Sequence, residues 1–175
     1  DEANLSMAWL STNETESFQN FTNSNVWIVN YTDSSNNRAY YSEESARPVV
    51  SGGTEFTADE YTQVSTINSQ RMVANASTAG NYPFQFYALK VGLAQNISNL
   101  TISWNGTGQN STHVEFLIFL FNATSGSYQQ IDSLTQLTVT PRIDVRNRTI
   151  GADRLYDFVN STGHLNLKVY GPLSP

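Results

Sequence analysis

Short stretches in which apolar and polar residues alternate, or apolar residues run on, recur along most of this chain. Such stretches, separated by Gly, Asn, Ser and Pro, are typical of β-strands joined by turns. The predicted strands are residues 26–31, 39–41, 48–50, 61–67, 70–76, 84–93, 99–104, 113–121, 128–131, 134–140 and 164–170. Only residues 152–159 have helical spacing. The pattern therefore predicts an all-β fold, a β-sandwich or jelly roll, as one domain over residues 26–175.

The first part of the chain, residues 1–25, has a different pattern. Leu5, Met7 and Trp9 alternate with polar or small residues and predict an apolar terminal strand. Residues 11–25 are almost wholly polar and predict a linker, a tether that spans about 50 Å when extended. The strand has three possible fates. It inserts into its own sheet, stays disordered, or is donated to an open sheet edge of the next subunit, where the three apolar residues fill successive pockets.

The predicted strand at 113–121 is apolar at nearly every position. One face of this strand carries Val114, Phe116, Ile118 and Leu120, and the other carries Glu115, Leu117, Phe119 and Phe121. Soluble monomers rarely expose an apolar patch of several hundred Å². We therefore expect the second face to be buried by a further layer or by a neighbour, which makes Leu117, Phe119 and Phe121 candidate assembly residues.

Composition excludes several classes of protein. The 175 residues carry 15 acidic and 9 basic side chains and a net charge of −6, so a basic nucleic-acid binder is excluded. The absence of cysteine excludes thiol nucleophiles, zinc–thiolate sites and a disulfide framework. No apolar run approaches the roughly 18 residues of a membrane-spanning helix. Hydrophobic residues make up 39% and aromatic residues 12%, which is enough for a folded core.

The strongest signal is the number of Asn-x-Ser/Thr triplets (sequons), the acceptors for N-linked glycans. The twelve sequon asparagines are Asn4, Asn13, Asn20, Asn30, Asn75, Asn96, Asn99, Asn105, Asn110, Asn122, Asn147 and Asn160. Random placement of Ser and Thr would give roughly four. The excess predicts a secreted, heavily N-glycosylated chain. Asn105, Asn122 and Asn160 stand beside turn residues and are expected to be occupied, whereas Asn96 and Asn99 are closely spaced.

The compartment follows from the same features. The sequence begins at Asp1 without Met or an apolar leader, which indicates a mature chain that has lost its signal peptide, or an excised segment. Small secreted eukaryotic domains usually contain disulfides. A cysteine-free chain dense in sequons fits the surface proteins of archaea better.

Three segments of the second half resemble a β-sandwich module that recurs in secreted archaeal surface glycoproteins: ISNLTISWNGTG (97–108), EFLIFLFNATSGSYQQID (115–132) and LYDFVNSTGHLNLKVYG (155–171). The shared features are a Leu-Thr-Ile-x-Trp-x-Gly strand, a hairpin ending in Ser-Gly before an aromatic residue, and a final turn into a strand. The resemblance implies a sandwich similar in architecture to carbohydrate-binding domains. It rests on packing and turn positions and implies no catalytic residue.

Residues for catalysis are scarce. His113 and His164 are the only histidines, Lys90 and Lys168 the only lysines, and neither a G-x-S-x-G nor an S-x-x-K motif occurs. The adjacent carboxylates at 43–44 point to opposite faces of a strand and cannot act as an acid/base pair. We therefore expect no enzymatic activity.

Ligand sites are equally sparse. Residues 33–37 are similar to the start of a calcium loop but lack its turn glycine and closing glutamate, so they favour an Asx-type turn. We assign no cofactor beyond N-linked glycans, and calcium held by discontinuous carboxylates stays an unsupported alternative. Trp27, Tyr40 and Tyr41 are candidates for a sugar-stacking platform. Trp104, in phase with neighbouring apolar residues, is assigned to the core.

These observations favour a structural subunit of an extracellular, N-glycosylated assembly: a filament, sheath or surface layer. Its partner would be a second copy of the chain, and donor-strand exchange would link the copies. The alternative is a carbohydrate-binding or adhesive module of a secreted surface protein, with surface glycans as partners. A secreted enzyme is the least favoured of the three classes.

Overall fold

The computed structural model describes residues 3–6, 11–14, 37–48, 52–64, 72–110, 114–136 and 144–175. The strands are β1 (Ala3–Ser6), β2 (Ser11–Glu14), β3 (Arg38–Glu44), β4 (Thr54–Glu55), β5 (Val73–Ala76), β6 (Tyr82–Lys90), β7 (Ile97–Gln109), β8 (Val114–Asn122), β9 (Ser127–Gln136), β10 (Asp144–Gly151) and β11 (His164–Tyr170). The helices are α1 (Ala58–Val64) and α2 (Ala152–Phe158), with a 3-10 turn at Ala94–Asn96. The predicted all-β, sandwich-like fold is confirmed.

The strands form two layers that share β7. The large layer has the strand order β4–β3–β6–β11–β8, with β9 on the far side of β8. In the second layer, β7 pairs with β2 on one edge and with β10 on the other. The last residues of β7 pair instead with β1, which pairs in turn with β5. All of these pairings are antiparallel. Gln109 of β7 also pairs with Val114 of β8, so the 13-residue β7 connects the two layers.

The core lies between the layers. Strand alternation sends every second residue of β6, β8 and β11 inward, as in Leu165, Leu167 and Val169 of β11, all of which are buried. From the second layer, Trp104 of β7 packs on Phe116 of β8 with ring centroids 4.2 Å apart. Trp104 is 0% exposed, so its assignment to the core is confirmed.

The first residues of one predicted strand form a helix instead. The strand expected at 61–67 is wrong over its first residues, because α1 extends from Ala58 to Val64. The backbone N–H of Thr57 donates to Glu60 Oε2 at 2.7 Å, and the N–H of Glu60 donates to Thr57 Oγ1 at 3.4 Å. This reciprocal pair is a capping box, which satisfies free N–H groups at a helix start. The Thr-x-x-Glu motif was visible in the sequence.

The polar linker expected at 11–25 is wrong at its start, because Ser11–Glu14 forms β2. Its residues show no apolar alternation, and the ladder with β7 is what makes them a strand. The strands β4 and β10 were also not predicted. The helix expected at 152–159 is confirmed by α2. Residues 15–36, with the predicted strand at 26–31, lie outside the described residues, as do 49–51, 65–71, 111–113 and 137–143.

Candidate functional site

The predicted terminal strand pairs within the same chain. Strands β1 and β2, together called the arm, run antiparallel along β7, with Asn4 opposite Gln109 at one end and Glu14 opposite Ile97 at the other. On its other edge β1 pairs with β5, so it lies between two strands. Leu5 stands opposite Ala74 and Gly108, both buried positions. Met7 and Trp9 lie outside the described residues.

The glycan acceptors are distributed unevenly over the strands. Six sequon asparagines lie in β1, β2, β5, β7 and β10, which we call the sequon strands: Asn4, Asn13, Asn75, Asn99, Asn105 and Asn147. The five strands β3, β6, β8, β9 and β11 hold one, Asn122, at the last residue of β8. Asn96 ends the 3-10 turn, Asn110 follows β7, and Asn160 precedes β11. Asn20 and Asn30 lie outside the described residues.

Both asparagines of the arm stand opposite another sequon asparagine. Asn4 pairs with Asn75, and Asn13 pairs with Asn99. Directly opposite residues of an antiparallel pair share one face, with Cβ atoms about 5 Å apart. Asn75 is exposed, whereas Ala74 beside it is 0% exposed, so Asn75 lies on the solvent side of β5. The strand register therefore places two sequon positions directly opposite each other in each pair.

Three acceptors near turns differ in accessibility. Asn160 is exposed, and its Oδ1 accepts from the hydroxyl of Thr162 at 2.8 Å, which leaves the glycan-bearing amide nitrogen outside that bond. Asn122 is only 5% exposed, and its Oδ1 accepts the backbone N–H groups of Thr124 and Ser125 at 2.9 and 2.8 Å. Asn110 uses its amide nitrogen to donate to a backbone carbonyl.

The expectation that Asn105, Asn122 and Asn160 are all accessible turn positions is therefore corrected. Asn105 lies inside β7 and pairs with Val145, because the Gly-Thr-Gly after it continues the strand. Asn122 does close a turn, but that turn buries its side chain. Only Asn160 is an exposed turn position.

The second face of the large layer is rich in aromatic side chains. This aromatic face consists of Tyr40, Tyr82, Phe84, Phe86, Leu117, Phe119, Phe121, Tyr128, Lys168 and Tyr170. Phe119 is 6% exposed and meets Tyr170 edge-on, with ring centroids 5.7 Å apart. Leu117 and Phe121 are half-buried, and Phe121 packs on Tyr128. Side chains of the same chain thus cover much of the apolar patch that the 113–121 strand predicted.

The proposed sugar-stacking residues Tyr40 and Tyr41 lie on opposite faces of β3. Tyr40 is half-buried on the aromatic face and stacks on Phe86, with centroids 5.6 Å apart and planes 24° apart. Tyr41 packs on Phe56 in the core. Trp27 lies outside the described residues. Of the two described members of this set, Tyr40 lies on the aromatic face.

A buried ion pair lies in the middle of the aromatic face. Lys168 is 0% exposed, and its Nζ lies 2.9 Å from Oε1 of Glu44. The hydroxyl of Tyr170 donates to Oε2 of Glu44 at 2.6 Å. The Nζ also lies 4.1 Å from the ring centroid of Phe84. Burial lowers the pKa of Lys168, while Glu44 opposes that shift. Burial, with a smaller contribution from Glu44, raises the pKa of Tyr128.

A second ion pair lies where β8 begins. Arg47 and Glu115 are joined by a 2.6 Å bond, and both side chains are mostly buried. The Arg47 guanidinium also lies over the Tyr82 ring, 4.1 Å from its centroid. An arginine held by a carboxylate and stacked on a ring is fixed in orientation, so this pair closes one end of the aromatic face.

The histidines and the adjacent carboxylates were the candidate residues for catalysis and metal binding. His164 Nδ1 contacts the Thr162 hydroxyl at 2.9 Å, and His113 lies outside the described part of the chain. Glu43 bonds Thr78 while Glu44 bonds Lys168, so the adjacent carboxylates do face opposite ways. Within the described ranges, no three His, Asp or Glu side chains cluster as metal ligands. No helix in those ranges has the length and apolar character needed to cross a membrane.

A family model described as "Uncharacterized protein, C-terminal domain" matches residues 34–141. The chain belongs to this family. No curated protein and no solved structure matches the chain. The range matched by the family contains β3 to β9, whereas the arm and β11 lie outside it. Because β11 lies between β6 and β8, the large layer of this chain needs residues beyond the matched range.

Proposed function

We propose that this chain is a structural, non-enzymatic subunit of an extracellular, N-glycosylated assembly such as a filament, sheath or surface layer. The observation that carries the proposal is the segregation of the acceptors, with six in the sequon strands and one, buried, in the large layer. N-linked glycans are bulky and solubilising. They coat the side of the molecule that bears them and leave the large layer for contact with other copies.

The arm provides the link between copies. Its main chain pairs with both ends of β7, and β1 also pairs with β5. The same ladder forms whether the arm belongs to its own chain or to a neighbour, which is the basis of strand exchange. Residues 15–36 join the arm to β3 and span up to about 70 Å when extended. The tether therefore starts after Glu14, and the donated unit is the whole arm.

Deleting residues 1–14 tests this role. The truncated chain should remain monomeric in sedimentation and form no ordered polymer by electron microscopy, whereas the full chain polymerises. A synthetic peptide of residues 1–14 should bind the truncated chain and fill the groove between β5 and β7. A scrambled peptide of the same composition is the control. Normal polymers of the truncated chain would refute the exchange.

A carbohydrate-binding or adhesive role is the second candidate, favoured by the half-buried Tyr40 stacked on Phe86. Flat aromatic surfaces stack well on sugar rings. If this role holds, a glycan array should show binding that Tyr40→Ala abolishes. Tyr156→Ala is the matched control, because Tyr156 is 61% exposed on α2, away from this face.

A further inference from the structure

The Lys168–Glu44 pair joins two distant parts of the chain in a site that disfavours charge. The residues are 124 positions apart, on β11 and β3, and β6 lies between these strands. Lys168 is 0% exposed and the Glu44 side chain 9% exposed. The rings of Phe84, Phe86, Tyr128 and Tyr170 all lie within 6.0 Å of the Nζ atom. Removing two ions from water into such surroundings is energetically unfavourable.

The geometry also places an amine next to a carboxyl group. The Nζ of Lys168 lies 2.9 Å from Oε1 of Glu44, the oxygen bonded to the carboxyl carbon Cδ. The hydroxyl of Tyr170 donates to the other oxygen at 2.6 Å and lies 3.4 Å from Nζ. A proton shift along the Nζ–Oε1 hydrogen bond converts the ion pair to a neutral amine and a carboxylic acid. Burial lowers the pKa of Lys168, which favours the neutral amine that the attack requires.

We propose that Lys168 and Glu44 condense to an intramolecular isopeptide bond. The amine lone pair attacks Cδ, and negative charge develops on Oε2, where the Tyr170 hydroxyl stabilises it. The Nζ–Cδ bond forms and the Cδ–Oε1 bond breaks. Oε1 leaves as water, carrying the carboxyl proton and one proton from the amine. No oxidant, reductant or cofactor is needed.

The product suits the site better than the ions do. A neutral amide has no ionic desolvation cost, and its carbonyl keeps the hydrogen bond from Tyr170. The bond would join β3 to β11 across β6, in a chain that has no cysteine for a disulfide. Closing a long loop covalently restricts the unfolded chain. The bond forms within one molecule and depends on neither glycans nor assembly. Its test is therefore independent of the test of the proposed function.

Intact-mass measurement of the full chain, made in a host that adds no N-linked glycans, tests the bond. The folded protein should be lighter than its sequence by one water, about 18 Da. Trypsin should release a branched peptide that joins residues 39–71 to residues 155–175, because Pro48 blocks cleavage after Arg47 and the linked Lys168 resists cleavage. A folded protein of full sequence mass, with separate linear peptides, would overturn the proposal.

Variants locate the reaction. Lys168→Arg keeps the charge but has no amine nucleophile, so the mass deficit should disappear. Lys90→Arg changes the other lysine, which is exposed, and should keep the deficit. Tyr170→Phe removes the stabilising hydroxyl and should slow the loss of water after refolding. If Lys168→Arg does not fold, the mass and the branched peptide of the unmodified sequence still decide the question.

Discussion

The sequon strands and the aromatic face both come from strand alternation, with opposite chemistry on the side away from the core. In β7 the buried residues Leu100, Ile102 and Trp104 alternate with positions 99, 101, 103 and 105, which hold Asn, Thr, Ser and Asn. In β6 the positions away from the core hold Tyr82, Phe84 and Phe86. Burial of one row is common to both strands. The residues that point away from the core differ: in β7 they are polar and suit glycans, and in β6 they are aromatic and suit contact with other copies.

The largest expected difference is in the free energy of unfolding after a substitution by aspartate on each side. Phe119→Asp removes a buried ring from the aromatic face and buries a charge, which should cost about 3–5 kcal/mol of unfolding free energy or prevent folding. Asn75→Asp, at an exposed sequon position, should change it by no more than about 0.5 kcal/mol. Urea unfolding measures both. A Phe119→Asp chain as stable as Asn75→Asp would show that the aromatic face is not a packed surface.

Glycan occupancy should follow the register and burial. Asn160 should be modified and Asn122 bare, because only Asn160 is exposed. Within the pair Asn4 and Asn75, one glycan should exclude the other, since the two residues are directly opposite in the strand register, with Cα atoms about 5 Å apart. Glycopeptide analysis should therefore find higher occupancy of Asn4 in Asn75→Gln, and no change in Asn160→Gln. Full occupancy of both partners in the native chain would contradict the register.

A smaller expected effect is the pH dependence of a contact between β3, a strand of the large layer, and the residues that follow β5, a sequon strand. Glu43 of β3 accepts hydrogen bonds from the Thr78 hydroxyl and from backbone N–H groups at residues 77–78, just after β5. These bonds, that of the Thr78 hydroxyl first, lower the pKa of Glu43 from 4.5. The unfolded chain therefore takes up the proton first as pH falls. The stability from these bonds is present above the unfolded pKa and is lost as pH falls through the folded pKa.

Glu43→Gln should remove that part of the acid dependence. Unfolding midpoints measured from neutral pH down to about pH 3 should fall less steeply in Glu43→Gln than in the native chain. Glu60→Gln is the control, because Glu60 serves the cap of α1 and not the contact between the regions. Parallel pH profiles for the native chain and Glu43→Gln would show that Glu43 does not contribute to the loss of stability at acid pH.

Much of the fold was readable from local pattern. The alternation of HLNLKVY and the apolar run of VEFLIFLFN correspond to β11 and β8. The first residues of the expected strand at 61–67 form a helix because a capping box outweighed β-branched composition. The strands β2 and β10 were not predicted, because their residues are mostly polar and they form strands only by pairing with β7.

The site was less readable, because it depends on contacts between distant positions. The phase of β7 already separates Asn99 and Asn105 from the buried row, so part of the glycan side was visible in the sequence. The pairing of Asn13 with Asn99 required the strand register. No local pattern connects Lys168 with Glu44, which are 124 residues apart. Their meeting follows from β3 and β11 flanking the same strand.

The most direct test of the proposed assembly asks whose arm fills the groove. The chain has no cysteine, so any disulfide must come from introduced residues. Asn4 and Asn75 are directly opposite, and such residues have Cα atoms about 5 Å apart, within the range of a disulfide. Copies bearing Asn4→Cys are mixed with copies bearing Asn75→Cys, assembled, oxidised and run on a non-reducing gel. A single chain bearing both substitutions is the control for the register.

The account predicts disulfide-linked dimers of the two single-cysteine copies, formed in polymers and absent from monomers. Polymers of the double-cysteine chain should give a series of disulfide-linked oligomers on the non-reducing gel. Arm exchange would be contradicted if polymers of the mixed single-cysteine copies yield no linked dimers while the double-cysteine chain closes its disulfide only within one molecule.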